Sequence, residues 1–278
     1  DLYNPYVTFE RDYMETLWHL LKKFYDKGLL YKGYTVQPFS PAAGTGLSSH
    51  ELNQPGTYRD VKDTSITSQF TVIKNEKSSF LFDSDDEDVR MLAWTTTPWT
   101  LPSNCALAIG EKIDYVKVKT YNPYTYKPVS VVLAKALVSK HFSDKAKDIP
   151  LESYKEGDKL IPFEVEHTFK GSKLVEIRYE QLMPYVTNEE LKQNAFRVIP
   201  GDFVTTEDGT GIVHTASVFG ADDFRVAQQN GVPANWAQRW PVLRARPSIE
   251  HRDAHLCFCQ PGLWNHTTMA GGSRARAS

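Results

Sequence analysis

Residues 89–104 read VRMLAWTTTPWTLPSN. The first six have the β-branched and apolar content of a short buried strand. From Trp94 the composition changes: Thr95, Thr96, Thr97 and Thr100, two prolines and Asn104 crowd into eleven residues around Trp94 and Trp99. A strand core would fill those places with apolar bulk. This run instead gathers hydroxyls, one amide and two backbone positions of fixed φ. Its composition suits the wall of a site, delivered to a pocket by the strand before it.

Outward from this segment, short extended stretches broken by turn residues run from Leu30 to about Val213. They include 69-QFTVI-73, 113-IDYVKVKT-120, 129-VSVVLA-134 and 203-FVTT-206. Asp208-Gly209 lies between the last of these and Ile212-Val213, which predicts a tight hairpin. Before them, Thr8 to Lys27 reads as a helix with Gly28 as its stop. Its stripe of Tyr13, Met14, Leu17, Trp18, Leu21, Phe24 and Tyr25 predicts core packing or a docking face. The expected class is therefore α+β: a barrel-like β domain with peripheral helices, preceded by an N-terminal helix.

The expected divisions are a helical lead-in over 1–33, the β domain over 34–233 and a tail over 234–278. The tail has neither strand alternation nor a helical stripe and finishes in Gly, Ser, Ala and Arg, so it reads as disordered or non-native.

Composition narrows the function. With 32 basic and 34 acidic residues the formal charge is −2. A chain that grips a long duplex by its own charge is more basic, so a nucleic-acid partner has to be held locally or by a region outside this chain. No apolar run is long enough to span a bilayer, and the N-terminus is not a signal peptide, so no membrane is expected. Three cysteines, two of them in one tail tripeptide, give no disulfide framework; a reducing cytoplasm is the expected location.

Two clusters carry metal-ligating side chains, and neither has metal-site spacing. The run 83-DSDDED-88 lacks the fixed glycine and terminal glutamate of a calcium loop and reads as a solvated charge run. His251, His255, Cys257 and Cys259 contain a Cys-x-Cys too tight for the usual zinc pair, with no strand or hairpin to frame it. No metal is expected.

The second informative stretch is 209-GTGIVHTASVFGADDFRVAQQNG-231. Gly209 and Gly211 permit a turn, Ile212 and Val213 favour a strand, and His214 stands near its end. Residues 221–230 read as a short helix closed by Gly231, with Asp222 and Asp223 in its first turn. Acids there are favoured by the helix dipole and a lone histidine is commonly structural, so these residues alone leave a site and a structural role both open. Ser217 does not sit in a nucleophile elbow, because Thr215 stands where that motif needs glycine. Gly44-Thr45-Gly46 lacks the lysine of a phosphate loop. A hydrolytic site built from these residues would position water without a covalent intermediate.

Together, WTTTPWTLPSN and GTGIVHTA…FGADD resemble the editing (connective polypeptide 1) domain of class I aminoacyl-tRNA synthetases, of the isoleucyl kind. The resemblance covers residues 1 to about 233 and includes YMETLWHLLKKFYDKGLLYKG and RVIPGDFVTTEDGTGIVHTA. Valyl and leucyl relatives tend to carry arginine where Thr97 stands. The resemblance implies hydrolysis of valine wrongly esterified to isoleucine tRNA. It implies that Asp223 holds the α-ammonium of the aminoacyl group and that His214 helps exclude isoleucine. Thr95, Thr96, Thr97 and Thr100 would line the pocket, and Asn104 would orient substrate or water. Trp94 and Trp99 would flank the peptide, by packing or by stacking on terminal bases.

The implied partners are the tRNA(Ile) 3′ end carrying valine and the rest of a synthetase chain. The His-x-Gly-His and Lys-Met-Ser-Lys-Ser signatures are absent, so the resemblance implies ATP for a full-length enzyme and no cofactor for this fragment. Two alternatives stay open: a catalytically silent module that binds the tRNA 3′ end, and hydrolysis of the free aminoacyl adenylate. One departure stands out. Position 217 is usually proline in the motif; Ser217 restores an N–H and frees φ in the loop before Asp223.

Overall fold

The computed structural model describes residues 5–30, 36–40, 42–61, 64–185, 187–233 and 274–277. The chain separates into two compact units, Asp1–Thr35 and Val36–Ser278. The first carries helix α1, Arg11–Asp26, ended by Gly28 at φ +69°. The expected stripe is present, but α1 buries none of its residues; Trp18 is 74% exposed.

The second unit begins with strands β1 (Phe39–Ser40) and β2 (Thr45–Gly46), the one-turn helix α2 (Ser49–Leu52) and strand β3 (Tyr58–Val61). Its main sheet is built from β4 (Ile66–Thr71), β5 (Val89–Thr95), β6 (Ala106–Ile109), β7 (Asp114–Tyr121) and β8 (Pro128–Ala134). After the short helix α3 (Val138–His141) come β9 (Glu164–Lys170), helix α4 (Glu189–Asn194), β10 (Arg197–Pro200) and β11 (Ile212–Thr215). Helix α5 (Ala221–Gln229) follows, and Gly231 at φ +64° ends it. Strand β12 (Arg274–Ala277) pairs antiparallel with β3.

The strand order is β10-β6-β11-β5-β8-β7-β9, with β4 on the other edge of β5; the mixed sheet curls into a half-barrel with a few helices. The curl originates at β5, whose second edge is shared. Its first half, Val89–Met91, pairs parallel with β8, and its last turn pairs with β11 at Val213↔Trp94. Two wings, β8-β7-β9 and β11-β6-β10, therefore diverge from one strand. Side chains of β5 enter two apolar clusters, Met91 and Ala93 in one and Leu92 in the other. Burial on both faces explains why VRMLAW reads as a nearly continuous apolar run.

The wings are tied near their split. Ala134 N–H donates to Thr210 O at 2.8 Å and Tyr115 OH to Gly211 O at 2.6 Å. A Cβ on Gly211, itself at φ +73°, would sit 2.4 Å from Ala134 Cβ, so both conformation and space demand glycine.

The expected hairpin over Asp208-Gly209 does not form, and residues 203–206 are not a strand. Both edges of β11 are taken by β5 and β6, which leaves 203–206 no edge to join. The tail reading falls mostly on 234–273, outside the described residues, as do His251, His255, Cys257 and Cys259. Among the described residues no helix is long and apolar enough to cross a membrane.

Candidate active site

The threonine peptide leaves the sheet at the end of β5 and returns to it as β6, and β11 lies between those two strands. Its register is His214↔Leu107 and Thr215↔Ala106 with β6 and Val213↔Trp94 with β5. Sheet topology thus brings together two segments more than a hundred residues apart.

Thr95, the last residue of β5, is buried; its Oγ1 accepts from the Thr97 N–H at 3.1 Å and lies 3.3 Å from Thr97 Oγ1. Pro98–Ser103 then forms a tight 3₁₀ turn, with Pro98 in its first position where a missing N–H has no cost. Thr96, Thr97 and Trp99 are half-buried along this turn. Cys105 N–H donates to Thr215 O at 3.0 Å as the peptide rejoins the sheet.

Three of the expected residues bond directly. His214 Nε2 lies 3.0 Å from Thr100 Oγ1, and Nδ1 lies 2.9 Å from Asn104 Nδ2. Thr100 Oγ1 donates to Thr97 O at 2.8 Å. Asn104 Nδ2 also donates to Ala106 O at 3.0 Å, and Asn104 Oδ1 accepts from Tyr179 OH at 2.7 Å. Burial pushes the His214 pKa from 6.5 down to about 4, so the imidazole is neutral at physiological pH.

Asp222 and Asp223 behave differently although they are adjacent. Asp222 is a surface residue whose carboxylate accepts from Arg225 at 3.3 Å. Asp223 turns inward, and its Oδ1 accepts from the Ala216 N–H at 3.0 Å. Burial raises its carboxyl above the ordinary range, opposed by bonds from the Ala216 and Asp223 N–H groups. Its other oxygen lies over Gly220, where an added Cβ would come within 2.2 Å of Oδ2. Gly220 is required by that close approach, since its φ of −148° is open to any residue. A desolvated carboxylate with one oxygen held by the backbone is suited to receiving a small cation.

Trp94 packs on Gly209, where a Cβ would meet the indole at 3.0 Å. Cys105 is buried and its thiol is pushed up to about 11 by burial, so it stays protonated and inert as a nucleophile. The hydroxyls of Thr215 and Ser217 are buried with no hydrogen-bond partner among the described residues. Sequence reasoning passed over Tyr179, Thr215 and the Ala106 carbonyl. Tyr179 comes from RYEQL with no local pattern and joins the site only through tertiary structure, 75 residues from Asn104.

The threonine peptide thus meets a buried neutral histidine on β11, and an inward carboxylate is tied to the chain two residues further on, at Ala216. Residues 1–227 match the family model described as tRNA synthetases class I (I, L, M and V), and the chain belongs to that family. It is 63% identical over 234 residues to the isoleucine–tRNA ligase of Cytophaga hutchinsonii, an overlap of 84% of this chain and 20% of that protein. It is 58% identical over 242 residues to the isoleucine–tRNA ligase of Bacteroides thetaiotaomicron, again across 84% and 20%. The chain thus spans about a fifth of the length of these curated relatives.

Among solved structures it is similar to the P. knowlesi cytosolic leucyl-tRNA synthetase editing domain, with TM-score 0.45 and 10% identity over 61% of this chain and 64% of that one. It is also similar to the structure titled GlLeuRS-CP1, with TM-score 0.42 and 18% identity over 61% and 65%.

Proposed function

We propose that this chain hydrolyses valine wrongly esterified to isoleucine tRNA, by direct attack of water on the ester carbonyl. The observation that carries this reading is the contact of Thr100 and Asn104 with His214, which joins the two motifs in one site with Asp223 nearby in sequence. High identity to isoleucine–tRNA ligases supports the choice of tRNA. An apolar synthetic pocket gains only about 1–3 kcal/mol from the methylene that separates isoleucine from valine; this pair is the standard illustration of that limit. A second site that admits valine and rejects isoleucine removes the remaining errors.

In this reading the Asp223 carboxylate binds the α-ammonium of the aminoacyl group through a charge-assisted hydrogen bond. The half-buried Thr96 and Thr97 face the ester and the terminal ribose, and Thr95 fixes Thr97 by accepting its N–H. Hydroxyl and backbone N–H groups steady the oxyanion that develops as water adds to the carbonyl. A ribose hydroxyl of the tRNA takes part in activating that water, so no strong general base is needed from the protein. His214 bounds the pocket as a neutral wall and transfers no proton. The exposed apolar face of α1 suits packing on the rest of a longer synthetase chain, and ATP belongs to that longer chain's ligase chemistry.

Deacylation of valyl-tRNA(Ile) tests the reading. Asp223→Ala is expected to lower the rate about a hundredfold, the worth of one buried charge-assisted contact, and Thr97→Ala by a smaller factor. Wild-type rates in both variants would refute the assignment.

A further inference from the structure

We propose that Tyr179 is a positioning residue for His214: acting through Asn104, it holds the imidazole in a single neutral tautomer and a single orientation. The bond directions follow from the chemistry of each group. The Ala106 carbonyl can only accept, and it lies 3.0 Å from one terminal atom of the Asn104 side chain, which must therefore be the amide nitrogen. That nitrogen has no lone pair to offer, so the His214 Nδ1 at 2.9 Å must accept from it. The ring proton of neutral His214 then sits on Nε2 and is donated to Thr100 Oγ1 at 3.0 Å. Thr100 passes its own hydrogen to Thr97 O, and the direction is the same at every step.

The chain starts at Tyr179. Asn104 Oδ1 can only accept, so the phenol donates to it at 2.7 Å. The tyrosine is 1% exposed, and its ring is clamped edge-on by Phe70 at 5.3 Å and by Phe196 at 6.3 Å. Its N–H donates to Phe196 O at 3.1 Å, and it bridges to Val72 just past β4. Burial raises the phenol pKa well above its ordinary value, which keeps it protonated and a donor. A tyrosine that merely filled the core would not need its hydroxyl; here the hydroxyl donates to Asn104 Oδ1. The inferred consequence is that neither ring nitrogen of His214 is available to take a proton from water, and that its face is held at a fixed place in the pocket.

The tautomer is independent of the proposed function; its effect on valine–isoleucine discrimination rests on that reading. Two-bond ¹H–¹⁵N correlation spectra of the ¹⁵N-labelled chain, with His214→Gln to assign the signal, read the ring directly. Wild type is expected to show an acceptor-type Nδ1 and a proton on Nε2. Tyr179→Phe keeps the ring and removes the hydroxyl; the signal is expected to move toward an average of the two tautomers. The ratio of valyl- to isoleucyl-tRNA(Ile) deacylation is expected to fall about 5- to 10-fold, the worth of one hydrogen bond.

A proton on Nδ1 in wild type, or an unchanged imidazole spectrum in folded Tyr179→Phe, overturns the proposal whatever the ratio does. A shifted spectrum in a chain that hydrolyses neither ester supports the positioning role and refutes the functional reading instead. If Tyr179→Phe does not fold, the wild-type spectrum decides: a proton on Nδ1 overturns the proposal, and a proton on Nε2 with an acceptor-type Nδ1 supports it.

Discussion

The two wings of the sheet each bury a polar network, and the two are built on opposite principles. On the β8-β7-β9 wing the network is ionic. Lys117 has a side chain with 0% exposure, and its Nζ lies 2.6 Å from Asp83, 2.8 Å from Glu87 and 3.0 Å from Glu166. Lys119 adds a second cation, 2.5 Å from Glu166 and 2.9 Å from Asp83. A bulge places Glu166 here: the β7–β9 register shifts between Val116 and Val118, so β9 has an extra residue opposite Lys117. Burial works to lower the Lys117 pKa, but its three carboxylate partners win and raise it. Asp83 and Glu87 move below their ordinary range through the bonds to Lys117.

On the β11-β6-β10 wing the network of Tyr179, Asn104, His214 and Thr100 carries no formal charge. Its order comes from donors and acceptors that fit in only one direction. Charges that compensate one another tolerate some freedom of geometry and hold a fold together. A neutral relay stabilises less, but it fixes one side chain in one state, which is what a discriminating pocket wall requires.

The largest expected effect breaks the ionic side alone. Lys117→Met leaves Glu87 buried without its cation and Glu166 with Lys119 alone, and should cost about 3 kcal/mol in a urea titration. Deacylation per folded molecule should be unchanged, and a parallel loss of activity would mean that the wings are not separate.

A comparable effect, spread over pH, sharpens the neutral side. Folded His214 keeps its neutral form down to about pH 4, whereas the unfolded residue binds a proton below about 6.5. The stability it contributes is complete above 6.5 and is lost as pH falls toward 4, by about 3 kcal/mol in all. The Asp223 carboxyl, raised by burial, shifts in the opposite sense and offsets part of that loss. The ionic wing, with its carboxyls lowered, weakens only at lower pH. Stability measured between pH 6.5 and 4.5 should therefore slope in wild type and flatten in His214→Gln; equal slopes would show that the buried imidazole is not neutral.

The smallest effect concerns Asp223. Gly220→Ala forces the carboxylate away from its seat, and it should cost about 1–3 kcal/mol while weakening valyl-ester hydrolysis more than it weakens the fold. Crystallography of that variant with an unmoved Asp223 would contradict the close packing inferred from the glycine.

Much of this was legible in the sequence. The apolar runs of β5, β7 and β8 and the Gly-stopped helices α1 and α5 lie close to where periodicity and turn chemistry put them, while β4 starts three residues before the expected run at 69–73. The strand at 106–109 was not legible, because ALAI is short and built of small residues that show no alternation. It forms because β10 and β11 pair with both its edges, and all four of its residues are buried. The false hairpin at Asp208-Gly209 has the same cause in reverse, a good local turn signal overruled by strands that reach β11 first. Thr100, Asn104 and His214 were singled out by the resemblance of their two motifs to a known family, but their mutual bonds depend on sheet topology. Tyr179 had no signal at all, because an aromatic in an irregular segment reads as packing until its hydroxyl is seen to meet an amide.

The central claim is that the neutral wing forms a pocket that hydrolyses the valyl ester and spares the isoleucyl one. Side-by-side deacylation of valyl- and isoleucyl-tRNA(Ile) by this chain and by His214→Ala tests it most directly. The account predicts hydrolysis of the valyl ester alone by wild type, and hydrolysis of both by His214→Ala. Equal hydrolysis of the two esters by wild type, or of neither, would contradict it.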